Sequence, residues 1–213
     1  MTNAKLIDIS SHQPTVDFKA VKGGGFIGAL LRTGIGASTP DTSLASHRQG
    51  ARSAGLHIGY YHVLSSKPAD EQATFFLSQA KPEPGDLLAA DLEPGSPPLW
   101  TGLSGHEILE IVQGFVQHVR KAAPKNKLLI YTYESFWVTT MGNPSDNLGC
   151  DLWLAAYASD YKPYVPPAWK EHGPKMWQFT DGVHPQPHSV PGIPGACDQD
   201  MFLGADYEKY VGG

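Results

Sequence analysis

The chain has 213 residues and 41% hydrophobic content, which suits one large domain or two small ones with a sizeable core. Its net charge of −5, and the lack of a basic cluster along the chain, argue against nucleic acid as a partner. No stretch approaches the ~20 apolar residues of a membrane helix, and the opening "MTNAKLIDIS" lacks the plan of a signal peptide. We therefore expect no membrane insertion and no export signal.

The cysteines and histidines give no pattern of metal ligands. Two cysteines, Cys150 and Cys197, are too few for a disulfide framework or a zinc site, and we expect two separate buried thiols, with pairing as the alternative. His184 and His188 lie in "VHPQPHSVPGIPG", whose prolines indicate a loop. We expect no metal and no cofactor.

Short apolar runs alternate with helical patterns over the first two thirds of the chain, which is typical of a parallel sheet built from strand-helix units. The runs are "KLIDIS", "FIGALLRTG", "LHIGYYHVL", "GDLLAADLE" and "KLLIYTY". Helices are predicted over 42–54, ended by Gly55, and over 67–80, ended before Pro82. The clearest helix is 104–122, because Ser104 and Glu107 match a capping box and apolar residues follow at helical spacing.

The helical signal fades after residue 150. The later strands "LWLAAYA", "KMWQFTD" and "ACDQDMF" are joined by loops rich in proline and glycine. No linker or repeat separates a second domain. The sequence therefore predicts one α/β domain over 1–213, compatible with a barrel, whose later strands lack helical crossovers.

The stretch "GDLLAADLEPG" brings an apolar run directly to two carboxylic acids. On a strand Asp91 and Glu93 share one face while Leu92 points the other way, which places their Cα atoms roughly 6 to 7 Å apart. Like charges that close raise one pKa, so that one acid keeps its proton at neutral pH. A second D-x-E, at 206–208, lies in a polar terminal segment that we expect to be solvated surface.

Polar and aromatic residues recur where the predicted strands end, and in a parallel barrel the chemistry gathers at that edge. These residues are Asp8, Arg32, Tyr60, Tyr61, His62, Asp91, Glu93, Tyr131, Tyr133, Trp153, Tyr157, Trp177 and Gln178. Single aromatics often plug barrel ends, but the repeated pattern favours a pocket with flat stacking surfaces, which suits sugar rings.

Five ordered segments resemble the glycoside hydrolase family 25 muramidases, the Chalaropsis-type lysozymes. They are "IDISSHQPTVDF", "GYYHV", "LAADLEP", "LWLAAY", and "MWQFTDG" followed by "PGIPGACDQDMF". The resemblance implies a modified barrel of the TIM type whose later strands lack intervening helices. It also implies cleavage of the β-1,4 bond from N-acetylmuramic acid to N-acetylglucosamine in peptidoglycan.

The resemblance further implies roles for single residues. Glu93 looks like the general acid and Asp91 like its partner, while Asp8 and Asp198 look like two further acids of the site. Tyr61 is expected to contact substrate. The chain departs from the family with "YHV" for "YHF" and "CDQDMF" for "VDLNRF", and Asp200 is therefore a close rival of Asp198.

The spacing of the two acids bears on the mechanism. Retaining glycosidases with a protein nucleophile place their carboxyls ~5 to 5.5 Å apart, and inverting enzymes about 6.5 to 9.5 Å. Two acids on one strand face are poorly placed to attack opposite faces of a ring. We therefore expect substrate assistance, in which the 2-acetamido oxygen attacks while Asp91 orients the amide and Glu93 donates its proton.

Alternative functions stay open on the sequence alone. A family 18 chitinase shares substrate assistance and a D-x-x-D-x-D-x-E strand, but Ala89 stands in place of one acid. A catalytically silent wall-binding barrel is the second alternative. We expect a monomer whose partner is bacterial peptidoglycan, either a phage endolysin released by a holin or a domain of a longer autolysin or effector.

Overall fold

The computed structural model describes residues 4–159 and 164–212, and the elements follow the predicted alternation. The strands are β1 (Ala4–Ile9), β2 (Phe26–Ile35), β3 (Thr39–Pro40), β4 (His57–Val63), β5 (Leu87–Asp91), β6 (Leu128–Tyr133), β7 (Asp151–Ala155), β8 (Met176–Thr180) and β9 (Asp198–Phe202). The α-helices are α1 (Phe18–Gly23), α2 (Leu44–Ala54), α3 (Ala69–Ala80), α4 (Gly105–Ala122) and α5 (Tyr207–Gly212).

The strands close into an eight-stranded barrel, which confirms the expected α/β barrel. Strands β1, β2, β4, β5, β6, β7 and β8 run parallel to their neighbours in that order. Strand β9 runs antiparallel between β8 and β1 and completes the circle. The two-residue β3 only extends the end of β2. The reversed direction of β9 places the start of this strand at the same edge as the ends of the others.

The three predicted helices are confirmed, and their ends have the expected causes. Helix α2 ends at Gly55, which adopts a left-handed conformation with φ of 69°. Helix α4 begins at the capping box, in which Ser104 and Glu107 each bond the other's backbone. Between β7 and β8 the described residues form no α-helix, only a 3₁₀ turn at Pro167–Trp169. The prediction that the later strands lack helical crossovers is thus confirmed.

The acids of the D-x-E at 206–208 are exposed, as predicted for solvated surface, but the tyrosine between them is not. Tyr207 is 5% exposed and packs edge-on against Phe202, with ring centroids 5.2 Å apart. The side chain of Glu208 remains 73% exposed. Helix α5 therefore covers one end of the barrel interior, and its six residues are too few to show helical periodicity in the sequence.

Alternate residues of each strand build two apolar layers. Residues such as Leu6, Leu30 and Leu129 fill the barrel interior. Their neighbours Ile7 and Leu31 face the outer layer, against the helices. Which side chains reach the inside of the barrel is thereby decided by the alternation within each strand.

The two cysteines agree with the expectation of separate buried thiols. Cys150 and Cys197 are buried and unpaired, as predicted, and burial raises the pKa of the Cys150 thiol to about 12. Within the described part of the chain, every helix falls short of the length and apolar character that crossing a bilayer requires.

Candidate active site

A cavity of about 210 Å³ opens at the carboxyl ends of the parallel strands and the start of β9. The described residues that line it are Asp8, Ser10, His12, Gln13, Arg32, Tyr61, Val63, Asp91, Glu93, Tyr131, Trp153, Tyr157, Gln178 and Asp198. The structure therefore brings together the four predicted acids and six of the predicted polar and aromatic residues, from strands far apart in sequence.

Asp91 and Glu93 share the inner face, as the alternation predicted. Leu92 between them is fully buried in the outer layer. The regular strand stops at Asp91, but the Leu92 N–H still donates to the Tyr131 carbonyl at 2.9 Å, which keeps the chain extended for one more residue. The Trp100 indole then donates to the Glu93 carbonyl at 2.8 Å. A loop residue that the sequence did not indicate thus positions Glu93.

The environment of the two acids favours their protonated forms. Burial raises the pKa of Asp91 well above its usual value, and the charges of Glu93 and Asp8 raise it further. Burial also raises the pKa of Glu93, while the Arg32 guanidinium lowers it. Oδ1 of Asp91 is buried and has no hydrogen-bond partner among the described residues. Asp91 therefore offers an unused acceptor next to a half-buried acid.

A chain of hydrogen bonds orients Asp8. The Tyr131 and Tyr157 hydroxyls donate to Oε1 of Gln178 at 2.9 and 3.2 Å, and Nε2 of Gln178 donates to Oδ2 of Asp8 at 2.8 Å. Because both hydroxyls occupy the amide oxygen, the amide nitrogen is left for the carboxyl group. Burial and the charge of Asp200 raise the pKa of Asp8.

The structure separates Asp198 from its rival Asp200. In the pairing of β1 with β9, Asp198 lies opposite Asp8 at the mouth, and Asp200 lies opposite Leu6, deeper in the barrel. Asp198 lines the cavity, and burial raises its pKa to about 9. Asp200 is fully buried and accepts the Trp153 indole N–H at 2.7 Å. The acid at the cavity is therefore Asp198.

A buried carboxylate that the sequence did not indicate holds Arg32 at the cavity. Oδ2 of Asp41 accepts from Nε of Arg32 at 2.8 Å, and the Ser11 hydroxyl accepts from Nη2 of Arg32 at 3.0 Å. The Asp41 side chain is 0% exposed and also accepts the backbone N–H groups of Ser11 and Ser43. Asp41 follows the short β3 in an irregular segment, so no strand-end pattern marks it.

Four of the residues predicted at the strand ends do not line this cavity, and one of them, Tyr133, lines the cavity next to it. Trp177 is adjacent to Gln178 on β8, and because neighbouring residues of a strand face opposite sides, it points away from the cavity. Its indole N–H donates to the Ala156 carbonyl at 2.7 Å. Tyr60 and His62 flank Tyr61 on β4 and likewise belong to the outer side. Conversely, Ser10, His12 and Gln13 line the cavity although only their place just after β1 could have indicated it.

A second cavity of about 310 Å³ adjoins the first across Glu93. It shares Glu93, Tyr131 and Tyr157 with the first cavity and adds Tyr133 and Ala155. One side of Glu93 is thus rich in carboxyl groups and the other is aromatic. In residues 4–159 and 164–212, no group of three or more His, Cys, Asp or Glu side chains is arranged to hold a metal ion.

The sequence from residue 7 to residue 186 matches the profile of the family "Glycosyl hydrolases family 25". The chain belongs to this family. This membership excludes the alternative of a family 18 chitinase. Among curated relatives, the autolytic lysozyme of Clostridium acetobutylicum is 29% identical over 93% of this chain, which spans only 55% of that protein. The N,O-diacetylmuramidase of Chalaropsis sp. is 26% identical, covering 82% of this chain and 86% of the relative.

Solved structures of two lysozymes share the fold. The family 25 lysozyme of Aspergillus fumigatus superposes with a TM-score of 0.84 at 28% identity, over the full length of both chains. The bacterial lysozyme of Streptomyces coelicolor gives a TM-score of 0.87 at 21% identity, over 100% of this chain and 98% of that one. The likeness to these two barrels extends over the whole of this chain.

Proposed function

We propose that this family 25 glycosyl hydrolase is a muramidase, which cleaves the β-1,4 bond from N-acetylmuramic acid to N-acetylglucosamine in bacterial peptidoglycan. The observation that carries the proposal is the placement of Glu93, a half-buried acid of raised pKa, at the wall shared by two cavities. A sugar on each side would bring the bond between them to this carboxyl group. The names of the lysozyme and muramidase relatives support the substrate class.

Glu93 acts as the general acid and then as the general base. Its protonated form donates to the leaving oxygen, and the resulting carboxylate activates the water that completes hydrolysis. The aromatic second cavity provides stacking surfaces for the departing sugar.

Asp91 assists the substrate rather than attacking it. Its unpartnered Oδ1 can accept the N–H of the 2-acetamido group, whose oxygen then attacks the anomeric carbon. The positive charge that develops on the oxazolinium ring favours ionised Asp91, which offsets the cost of charging a buried carboxyl group. Asp91 and Glu93 come from the same inner face, an arrangement that suits this mechanism better than attack from opposite sides of the ring.

Glu93→Gln tests the catalytic assignment. The substitution keeps the shape and removes the transferable proton, so the rate of turbidity loss of purified cell walls should fall by roughly 10² to 10⁴. Glu110→Gln, on the exposed face of α4, is the matched control and should clear walls like the unmodified protein. Normal clearing by Glu93→Gln would refute the assignment. If the unmodified protein itself cleared no walls, it would be a catalytically silent wall-binding barrel.

Two product and substrate tests address the bond and the nucleophile. Borohydride reduction of digested walls should yield reduced muramic acid, whereas reduced glucosamine would indicate a glucosaminidase. Walls whose muramic acid has lost its N-acetyl group should resist cleavage, because the attacking oxygen is gone. Rapid cleavage of such walls, or a glycosyl ester trapped on Asp91, would make Asp91 the nucleophile.

A further inference from the structure

Two adjoining cavities form a groove at the end of the barrel opposite the carboxyl site. Their volumes are about 590 and 580 Å³, and they share the turn around Pro124 and Lys125. Leu128 and Asp151, which begin β6 and β7, line one of them, whereas the candidate active site lies where those strands end. The two sites are therefore separated by the length of the strands, roughly 13 Å or more at about 3.3 Å per residue.

The groove concentrates positive charge. Lys81, Arg120, Lys125 and Lys127 line it, and Asp151 is the one acid among its described lining residues. We call these four cations with their cavities the basic groove. The whole chain has 16 Lys and Arg against 21 Asp and Glu, so this local excess opposes the net charge. The expectation of no basic cluster was wrong, because Arg120, Lys125 and Lys127 lie within one segment, 120–127, and Lys81 joins them from the end of a different helix.

The acids nearest to the groove do not cancel this charge. Glu83 and Asp86 bond Arg52, at 2.7 and 3.2 Å. Lys81, Lys125 and Lys127 form no ion pair with any described residue within 4 Å. The Lys127 ammonium lies 5.7 Å from the centroid of the Tyr210 ring, a contact that does not neutralise its charge. The positive charge of all three lysines is therefore available to a ligand.

The groove is also held in shape. The Asn126 side-chain amide donates to the carbonyls of Glu83 and Asp86 at 2.7 and 2.9 Å, which ties the turn after α4 to the segment before β5. Arg120 donates to the Leu148 carbonyl at 2.5 Å. A preorganised set of cations loses less conformational entropy when it binds a ligand.

We propose that the basic groove binds a wall polymer with phosphodiester repeats, such as a polyol phosphate. The proposal rests on the muramidase function, which brings the protein to the cell wall where such polymers are attached. Lysine ammonium groups suit phosphate as compact point charges, and Arg120 adds a planar donor. The described lining residues include no aromatic side chain on which bases could stack, which disfavours single-stranded nucleic acid. The ligand would hold the enzyme on the wall while the opposite end cleaves glycan, raising the effective substrate concentration.

The test measures binding apart from catalysis. Soluble poly(glycerol phosphate) is titrated into the unmodified protein and into Lys81→Glu/Lys125→Glu. Neither lysine forms an ion pair with a described residue that the exchange would break. Lys19→Glu/Lys170→Glu, at exposed positions away from the groove, carries the same change of charge. We expect the affinity of the groove variant to fall by tenfold or more, at about fivefold per cation lost, and the control to bind like the unmodified protein. Thermal unfolding verifies that both variants are folded.

A second measurement uses walls before and after hydrofluoric acid extraction, which removes phosphodiester-linked polymers. Intact walls should retain the unmodified protein more strongly than extracted walls, and the groove variant should lose that difference but clear extracted walls at the normal rate. Equal affinity of both double variants for poly(glycerol phosphate), or tighter binding of a DNA fragment than of this polymer, would overturn the proposal. If the unmodified protein failed to clear extracted walls, the muramidase function would be refuted instead. The titration with poly(glycerol phosphate) would still test the basic groove independently.

Discussion

The buried His62 should make the protein less stable as the pH falls from 6.5 to 4. Its ring is fully buried between α3 and α4, stacked on Phe115 with 6.1 Å between ring centroids. Nε2 lies 2.7 Å from the Gly36 carbonyl, which can only accept, and Nδ1 lies 2.8 Å from the Thr33 hydroxyl, which can donate. The Thr33 hydroxyl has one proton, and the Tyr61 carbonyl is a second acceptor for it at 3.0 Å. In a neutral ring protonated at Nε2, the hydroxyl donates to the closer Nδ1, and both ring contacts are satisfied. Burial lowers the pKa of His62 to about 4.

The size of the effect follows from proton linkage. Above pH 6.5 the His62 ring is neutral in both the folded and the unfolded chain, so its ionisation costs no stability. Below that value the unfolded chain binds a proton that the folded chain refuses until the pH reaches about 4. With these two pKa values the loss is about 2 kcal/mol at pH 5 and about 3 kcal/mol below pH 4. Such a loss is a large part of the 5 to 15 kcal/mol that typically stabilises a domain.

Urea unfolding between pH 7.5 and pH 4.5 would measure this loss in the unmodified protein, in His62→Gln and in the control His106→Gln. The acids of the cavity have raised pKa values, so they stabilise the folded protein as the pH falls. This effect is the same in all three proteins. Differences in the pH dependence of unfolding between the proteins therefore report on His62. We expect His62→Gln to be less stable at pH 7.5 yet to lack the extra loss of about 2 kcal/mol at pH 5. His106 is exposed on α4, and its replacement should leave the pH dependence unchanged. The same pH dependence in His62→Gln as in the unmodified protein would refute the reasoning.

Two further substitutions separate the roles of buried acids. Asp41→Asn should loosen Arg32, whose charge lowers the pKa of Glu93. The pKa of Glu93 should then rise, and the alkaline limb of the pH profile of cleavage should move to higher pH. Reduced activity with an unmoved limb would indicate that Asp41 has a purely structural role. Asp200→Asn keeps an oxygen that accepts from Trp153 and removes the cost of ionising a fully buried carboxyl group, but it puts the amide nitrogen where Oδ2 has no partner. The net gain in stability at neutral pH should be about 1 to 2 kcal/mol, or roughly 2 to 8 °C in Tm. Since the folded-state pKa of Asp200 is raised, this gain should grow in thermal unfolding scans as the pH rises above the ordinary pKa of a carboxyl group, and a gain that is constant with pH would contradict the explanation.

Local patterns in the sequence were sufficient for much of the fold. The capping box and apolar spacing located α4, Gly55 marked the end of α2, and the run before Asp91 identified the strand that carries the two acids. These features depend on neighbours within a few residues, where periodicity and capping chemistry act. The alternation on β5 also predicted correctly that Asp91 and Glu93 face the same side.

Other features depended on contacts between distant segments, which local patterns do not encode. Closure of the barrel decided that Tyr61 faces the cavity while Trp177 does not, and the antiparallel direction of β9 decided that Asp198 reaches the mouth while Asp200 lies deeper. Asp41, at the end of a two-residue strand, had no periodic signal, and Lys81 lies far along the chain from the lysines that it joins. The sequence by itself determined the main strands and helices and the shared face of Asp91 and Glu93. Only the tertiary structure decided which side chains meet, because that depends on the register and direction in which the strands pair.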